Sequence, residues 1–190
     1  ARYQQAEVKR TTLDVEALGD AIVMREREKS RYQRDKRQGR IEDIDIGAPG
    51  AGHVRIRVEA VGLNRAEAMY RAGNYPTRPA LPSLIGYEGV GTIVATGPDV
   101  TDYAVGQRVC VLPMISQGQY GIWADEAIVP TRIILPAPEM MDVTHAAAIW
   151  MQYMTAYAVY EVAGIGPNDA VIIPAASSSV GLACIQLCNW

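Results

Sequence analysis

The clearest pattern along the chain lies at "HVRIRVEAVG", which begins at His53. Apolar Val54, Ile56, Val58 and Ala60 alternate with Arg55, Arg57 and Glu59, and a period of two predicts a half-buried strand. The preceding "APGAG" is turn chemistry. In "NRAEAMYRAG" the period lengthens. Asn64 and Glu67 stand at capping-box spacing and Gly73 sits where a helix stops, so a short helix is expected. Short apolar runs follow at "EGVGTIVATG", "QRVCVL", "ADEAIV" and "TRIILP", with turns at "GPDV" and "AVGQ". Many short strands punctuated by Gly and Pro predict a small barrel or sandwich-like domain.

Near residue 140 the rhythm changes. "DVTHAAAIWMQYMTAYAVYEVAG" predicts two consecutive helices, the first capped by Asp142. "GPNDAVIIPAASSSVGLACIQLCNW" then reads as a turn, a continuous apolar strand over 170–173, a loop of small residues and a helix starting near Ser179. Strand, small-residue loop and helix form the opening unit of a dinucleotide-binding fold, in which small residues admit a pyrophosphate to the positive end of the helix. The Gly-x-Gly-x-x-Gly pattern falls here on Ala176, Ser178 and Gly181, so one glycine of three is present. Ser177, Ser178 and Ser179 offer hydroxyls to a phosphate, and the same residues also suit an ordinary serine-capped helix. Local sequence leaves the two readings open.

Composition narrows the class. The chain has 190 residues, 49% of them apolar, enough for one full domain and part of another. Its longest apolar run, "AAAIWM" from Ala146, is far short of the roughly 20 residues of a membrane span, and the amino terminus carries no signal-peptide pattern. A cytoplasmic location without membrane contact is expected. Cys110, Cys184 and Cys188 read as reduced, buried small side chains. The formal charge of −3 is unevenly spread, since eleven of the eighteen Lys and Arg lie within residues 1–40. "REREKSRYQRDKRQGR" from Arg25 is basic enough for a nucleic-acid patch. Acidic residues interrupt it and no nucleic-acid-binding signature accompanies it, so residues 1–40 are read as a basic, solvated extension.

Taken in order, "VEAVGLNRAEAMYRAGNYP", "LIGYEGVGTIVATGPDV", "VGQRV", "AAAIWMQYMTAY" and "AASSSVGLACIQL" resemble the medium-chain dehydrogenase/reductase superfamily, in particular its zinc-independent, quinone-oxidoreductase-like branch. The resemblance covers roughly residues 41–190. It implies an α/β chain: a GroES-like β-barrel substrate domain over 41–145, then linking helices and the first βα unit of a Rossmann doubly wound domain over 146–190. It also implies an active site in the cleft between domains, NADPH or NADH as cofactor, a small carbonyl or quinone substrate, and a homodimer.

In the zinc alcohol dehydrogenases of that superfamily, the motif matching "VGLNRAE" has a cysteine where this chain has Asn64, and that matching "GYEG" has a histidine where it has Tyr87. Neither Asn nor Tyr is a normal zinc ligand, and the four-cysteine structural-zinc lobe has no counterpart, so no zinc is expected. Charge developing on a reduced carbonyl or quinone then needs hydrogen-bond or proton donors. Tyr75 in "AGNYP" matches a tyrosine that enoyl reductases and quinone oxidoreductases place beside the nicotinamide. Asn64 matches an asparagine lining the pocket in that branch, and its capping position explains it equally well. Met69 and Tyr87 are expected at the pocket wall, with Glu67 and Glu88 as structural carboxylates. Thr155 matches a threonine packed near the nicotinamide, and Ala176, Ser177, Ser178, Ser179, Val180 and Gly181 match the phosphate loop.

Other chemistries lack their parts. His53 and His145 have no nucleophile and carboxylate arranged around them, "SSSVG" lacks the glycine of a nucleophile elbow, and no Walker lysine is present. A zinc-dependent alcohol dehydrogenase and a catalytically incomplete GroES-like module with a basic binding arm stand as alternatives. A doubly wound domain needs about six strands, so the cofactor domain is expected to be incomplete and its NAD/NADP-selecting residue to lie beyond Trp190. Alone, the chain is expected to be a poor catalyst. "DAIVMRE", from Asp20, is expected as the strand that enters the barrel.

Overall fold

A computed structural model of the chain describes residues 41–114 and 116–189. The basic extension and the strand expected at "DAIVMRE" lie outside them. The described residues fall into two compact units, divided along the chain between Ala148 and Ile149.

The first unit is built on an antiparallel sheet. Its strands are β1 (His53–Val61), β2 (Gly89–Thr96), β3 (Arg108–Val111), β4 (Glu126–Pro130) and β5 (Ile134–Pro136), in the order β4-β1-β2-β3-β5. A one-turn 3-10 helix, Thr131–Ile133, joins β4 to β5. The short helices are α1 (Arg65–Arg71), α2 (Gln117–Tyr120) and α3 (Val143–Ala148). α3 packs against β1 and β2, and its first N–H groups, from Thr144 and His145, are taken by Asp142 Oδ1 at 2.9 and 3.0 Å.

The alternation in β1 places Val54 and Ile56 in the core with Ile93, Val109, Val111 and Val129. It then slips. Pairing runs Val58 to Gly91 and resumes at Ala60 with Val90, leaving Glu59 as an extra residue. An inserted residue reverses which side chains face inward, so Val61, rather than the expected Ala60, packs on the core. A second shift between Arg55 and Ile56 skips Val94 on β2. The period-two pattern has no means of announcing either bulge.

The second unit contains α4 (Trp150–Ala163), ended by Gly164 in the left-handed region, and α5 (Ser179–Cys188) packed against it. The strand expected over 170–173 does not form: these residues belong to no ladder, and Ile172 is 94% exposed. Strand identity depends on a paired neighbour, and the described residues of this unit offer none. None of the three cysteines is in a disulfide; Cys110 is buried as expected, whereas Cys184 is half-buried and Cys188 exposed.

Candidate active site

The site in the first unit grows from the start of α1. Asn64, extended at φ −121°, forms the expected capping box with Glu67, whose Oε2 accepts the Asn64 N–H at 2.9 Å. The box does more than end a helix, because both partners reach the loop that leads into β2. Glu67 Oε1 accepts the N–H of Tyr87 at 3.2 Å. Asn64 Nδ2 donates to Glu88 Oε1 at 2.9 Å. One fully buried carboxylate thus ties the backbones of Asn64 and Tyr87 together, and the Asn64 amide extends the tie to Glu88, which is also buried. Burying two carboxylates is expensive unless they are hydrogen-bonded or protonated. Burial pushes the Glu67 carboxyl up to about 7, against the opposing pull of the N–H groups around it.

Gly86 makes the turn that presents Tyr87. Its φ is +111°, and a Cβ there would come within 2.4 Å of Trp123 Cδ1 and 2.9 Å of the Trp123 backbone nitrogen. Only glycine suits that conformation at that distance. Tyr87 is buried, and its ring lies 6.1 Å from that of half-buried Tyr75 at an interplanar angle of 54°, a tilted aromatic pair. Burial first, and the Tyr75 phenol second, push the Tyr87 phenol well above its ordinary range. It is therefore a neutral O–H group across the physiological range.

Asn64, Tyr75 and Tyr87 thus belong to one assembly. Met69 and Tyr70 separate as the helical period requires: Met69 is exposed, while Tyr70 is buried with its hydroxyl 2.8 Å from Ser83 Oγ. Gln117 is the residue that sequence reasoning missed. It is 1% exposed, and its Oε1 accepts the Gly86 N–H at 3.3 Å. It sits in a turn-like "SQGQYG" whose pattern carries no sign of a buried amide.

In the second unit, Thr155 is exposed and back-bonds to the Met151 carbonyl at 2.6 Å. Ser178 is the N-cap of α5, its Oγ accepting the Gly181 N–H at 3.0 Å. Ala176, Ser177, Ser178 and Ser179 are exposed, Val180 is half-buried and Gly181 buried. A Cβ on Gly181 would lie 2.6 Å from the Ala175 carbonyl, so the loop is pressed onto the helix. The N–H groups of Ser179 and Val180, at the first two positions of the helix, have no intrahelical acceptor. This small-residue loop over an open helix start fits a pyrophosphate.

A cavity of about 710 Å³ lies elsewhere on the first unit, lined by Glu42, Asp43, His53, Tyr120 and Glu126 among others, and contains none of the expected site residues. Among the described residues no group of three His, Cys, Asp or Glu is arranged to hold a metal ion, and no helix is long and apolar enough to cross a membrane.

Comparison with known proteins places this architecture. Residues 50–139 match the alcohol dehydrogenase GroES-like domain, and the chain belongs to the medium-chain dehydrogenase/reductase superfamily. It is 41% identical over 143 residues to the rat synaptic vesicle membrane protein VAT-1 homolog, across 75% of this chain and 34% of that protein. It is 33% identical over 146 residues to the 2-haloacrylate reductase of a Burkholderia species, across 74% of this chain and 42% of that protein. Among solved structures, the quinone oxidoreductase of Thermus thermophilus, determined also with NADPH, superposes with a TM-score of 0.65 at 32% identity, across 78% of this chain and 45% of that one. The chain thus spans between a third and a half of the length of these relatives.

Proposed function

We infer that this chain is part of a zinc-independent, NADPH-dependent reductase of quinones or α,β-unsaturated carbonyls. The observation that carries the reading is the assembly of Asn64, Tyr75 and Tyr87, three neutral hydrogen-bonding side chains, where zinc alcohol dehydrogenases use thiolate and imidazole. The reductase and quinone oxidoreductase among its relatives support the same chemistry. A bound nicotinamide supplies the hydride. The residues of this chain bind and orient: Ser179 and Val180 N–H groups, with the hydroxyls of Ser177 to Ser179, hold the pyrophosphate at the start of α5. Tyr75 donates its phenolic O–H to the substrate oxygen on which negative charge develops.

The test is NADPH oxidation by the full-length protein with a simple quinone and a simple enone, in EDTA and in added zinc. Turnover that is indifferent to both is expected. Activity that disappears in chelator and returns with zinc would overturn the metal-free reading, and turnover of alcohols alone would overturn the substrate class.

A further inference from the structure

The cavity that contains none of the reductase residues has a chemistry of its own. It lies along the edge strand β4. Alternation sends Ala127 and Val129 into the core, which leaves Glu126 and Ile128 on the opposite face of the sheet, beside His53 and Arg55 of β1. Arg55 is already committed, since its Nε and Nη2 meet Glu126 Oε2 at 2.6 and 2.5 Å. His53 Nδ1 donates to the Ala51 carbonyl at 2.6 Å, and its ring lies 5.8 Å from that of Tyr120 at an interplanar angle of 34°. The charge on the wall is acidic. Glu42, Asp43 and Asp125 join Glu126, so four carboxylates face one arginine. Asp43 and Asp125 are exposed and, among the described residues, have no side-chain partner.

Carboxylates beside an aromatic pair and the apolar Ile44 and Leu84 suit a cationic head on an apolar stem, which is the chemistry of arginine and lysine. The same sequence supplies that chemistry close by. Residues 25–40 carry eight Lys and Arg against three Asp and Glu, and they end two residues before Glu42 in the cavity wall. Sixteen residues span up to about 50 Å at full extension, so reach is not limiting. A segment joined to the wall it docks on binds at an effective concentration that a separate basic peptide does not share.

We propose that this acidic cavity is the docking site of the chain's own basic segment, residues 25–40. Its arginine and lysine side chains lay their stems along Ile44, Leu84 and the Tyr120 ring and set their charged heads against Asp43 and Asp125. Docking there withdraws the charge of the segment from other acidic partners. It does not depend on the reductase reading.

The experiment uses the full-length protein, treated with a carbodiimide that joins amines to carboxylates in direct contact and then mapped by mass spectrometry. Within these 190 residues the only lysines are Lys9, Lys29 and Lys36. At low salt, Lys29 or Lys36 should be found joined to Glu126, and a mixture of light and heavy-isotope protein should show both ends in one chain. In about 1 M salt, where the Debye length is about 3 Å, that link should fall roughly threefold or more. Asp43→Asn combined with Asp125→Asn should lower it as much at low salt while keeping the parental Tm, because both carboxylates are exposed. Trypsin gives a second reading: cleavage within residues 25–40 should be several-fold faster in the double variant than in the parent. Links between light and heavy chains would make the occupant a second copy and overturn the intramolecular site. A link that survives both salt and the double variant, or no link to Glu126 together with equal trypsin cleavage in parent and variant, would overturn the docking itself.

Discussion

The two units hold their polar groups in opposite ways. Around Tyr87 the carboxylates and the Gln117 amide are shut away from solvent, and the bonds cross long stretches of chain: Glu67 to Tyr87, Asn64 to Glu88 and Gly86 to Gln117 span 20, 24 and 31 residues. At the serine loop the groups are exposed, and the capping bond from Gly181 to Ser178 spans three. A site assembled from afar has few alternative uses, because its buried groups have been committed to one another at considerable desolvation cost. A site assembled locally is easier to recognise and harder to interpret, since any capped helix would contain the same bond.

The largest effect should come from the distant assembly. Tyr75→Phe in the full-length protein removes one O–H and little packing, and loss of a proton donor of this kind typically lowers the rate by about 10²–10⁴-fold. The drop should appear in kcat, with NADPH affinity nearly unchanged, because the loop proposed to hold the pyrophosphate belongs to the other unit. Full turnover in the variant would remove Tyr75 from the chemistry.

Glu67 tests the same assembly through stability. Its carboxyl ionises near 4.5 when free and near 7 in the fold, so between those values the unfolded chain releases a proton that the folded chain keeps. Stability is full below about pH 4.5, is lost as pH rises toward about 7, and is level beyond, a total of about 3 kcal/mol. Glu67→Gln cannot ionise, and it also replaces one acceptor by a donor. Its stability should be lower in acid and nearly flat across that window. A thermal-unfolding series at about pH 5 and about pH 7.5 that kept the parent slope in Glu67→Gln would assign the titration to another group.

The same contrast explains what the sequence made legible. The capping box at Asn64 and Glu67 and the strands from "HVRIRVEAVG" onward were readable because period and spacing are local. The bulge at Glu59 was hidden, because it is defined only against the partner strand. Tyr75 and Tyr87 could be singled out by motif, yet their pairing at 6.1 Å required the turn at Gly86. Gln117 was silent, since a polar residue in a Gly-rich stretch reads as surface until Tyr70 and Ser83 are packed against its helix. The segment 170–173 erred the other way: an apolar run announces burial, and no partner strand in its unit turns it into a ladder.

Gly86→Ala would break the distant assembly at its turn. The backbone there sits in a region that L side chains rarely adopt, and the added methyl meets Trp123 at 2.4 Å. A destabilisation of roughly 2 kcal/mol or more is expected, seen as a lower Tm. Turnover measured well below that Tm should also fall, because Tyr87 is displaced from Tyr75. A variant with parental stability and turnover would mean that the loop accommodates a side chain without moving Tyr87.

Ser178 can separate the two meanings of the local site, at the smallest energetic scale. Ser178→Ala deletes the oxygen that accepts the Gly181 N–H and should cost about 1 kcal/mol, the usual value of an N-cap. That loss alone does not distinguish a cap from a phosphate cradle. Ser178→Asp does, because aspartate caps a helix as well as serine and its charge favours the helix start, so stability should hold. A carboxylate beside a pyrophosphate, however, repels it. If the loop holds the cofactor, Ser178→Asp in the full-length protein should keep the parental Tm while weakening NADPH binding by about tenfold or more, with the deficit shrinking as salt screens the two charges. Parental NADPH affinity in that variant would make Ser178 a cap and nothing further, and would move the pyrophosphate away from the start of α5.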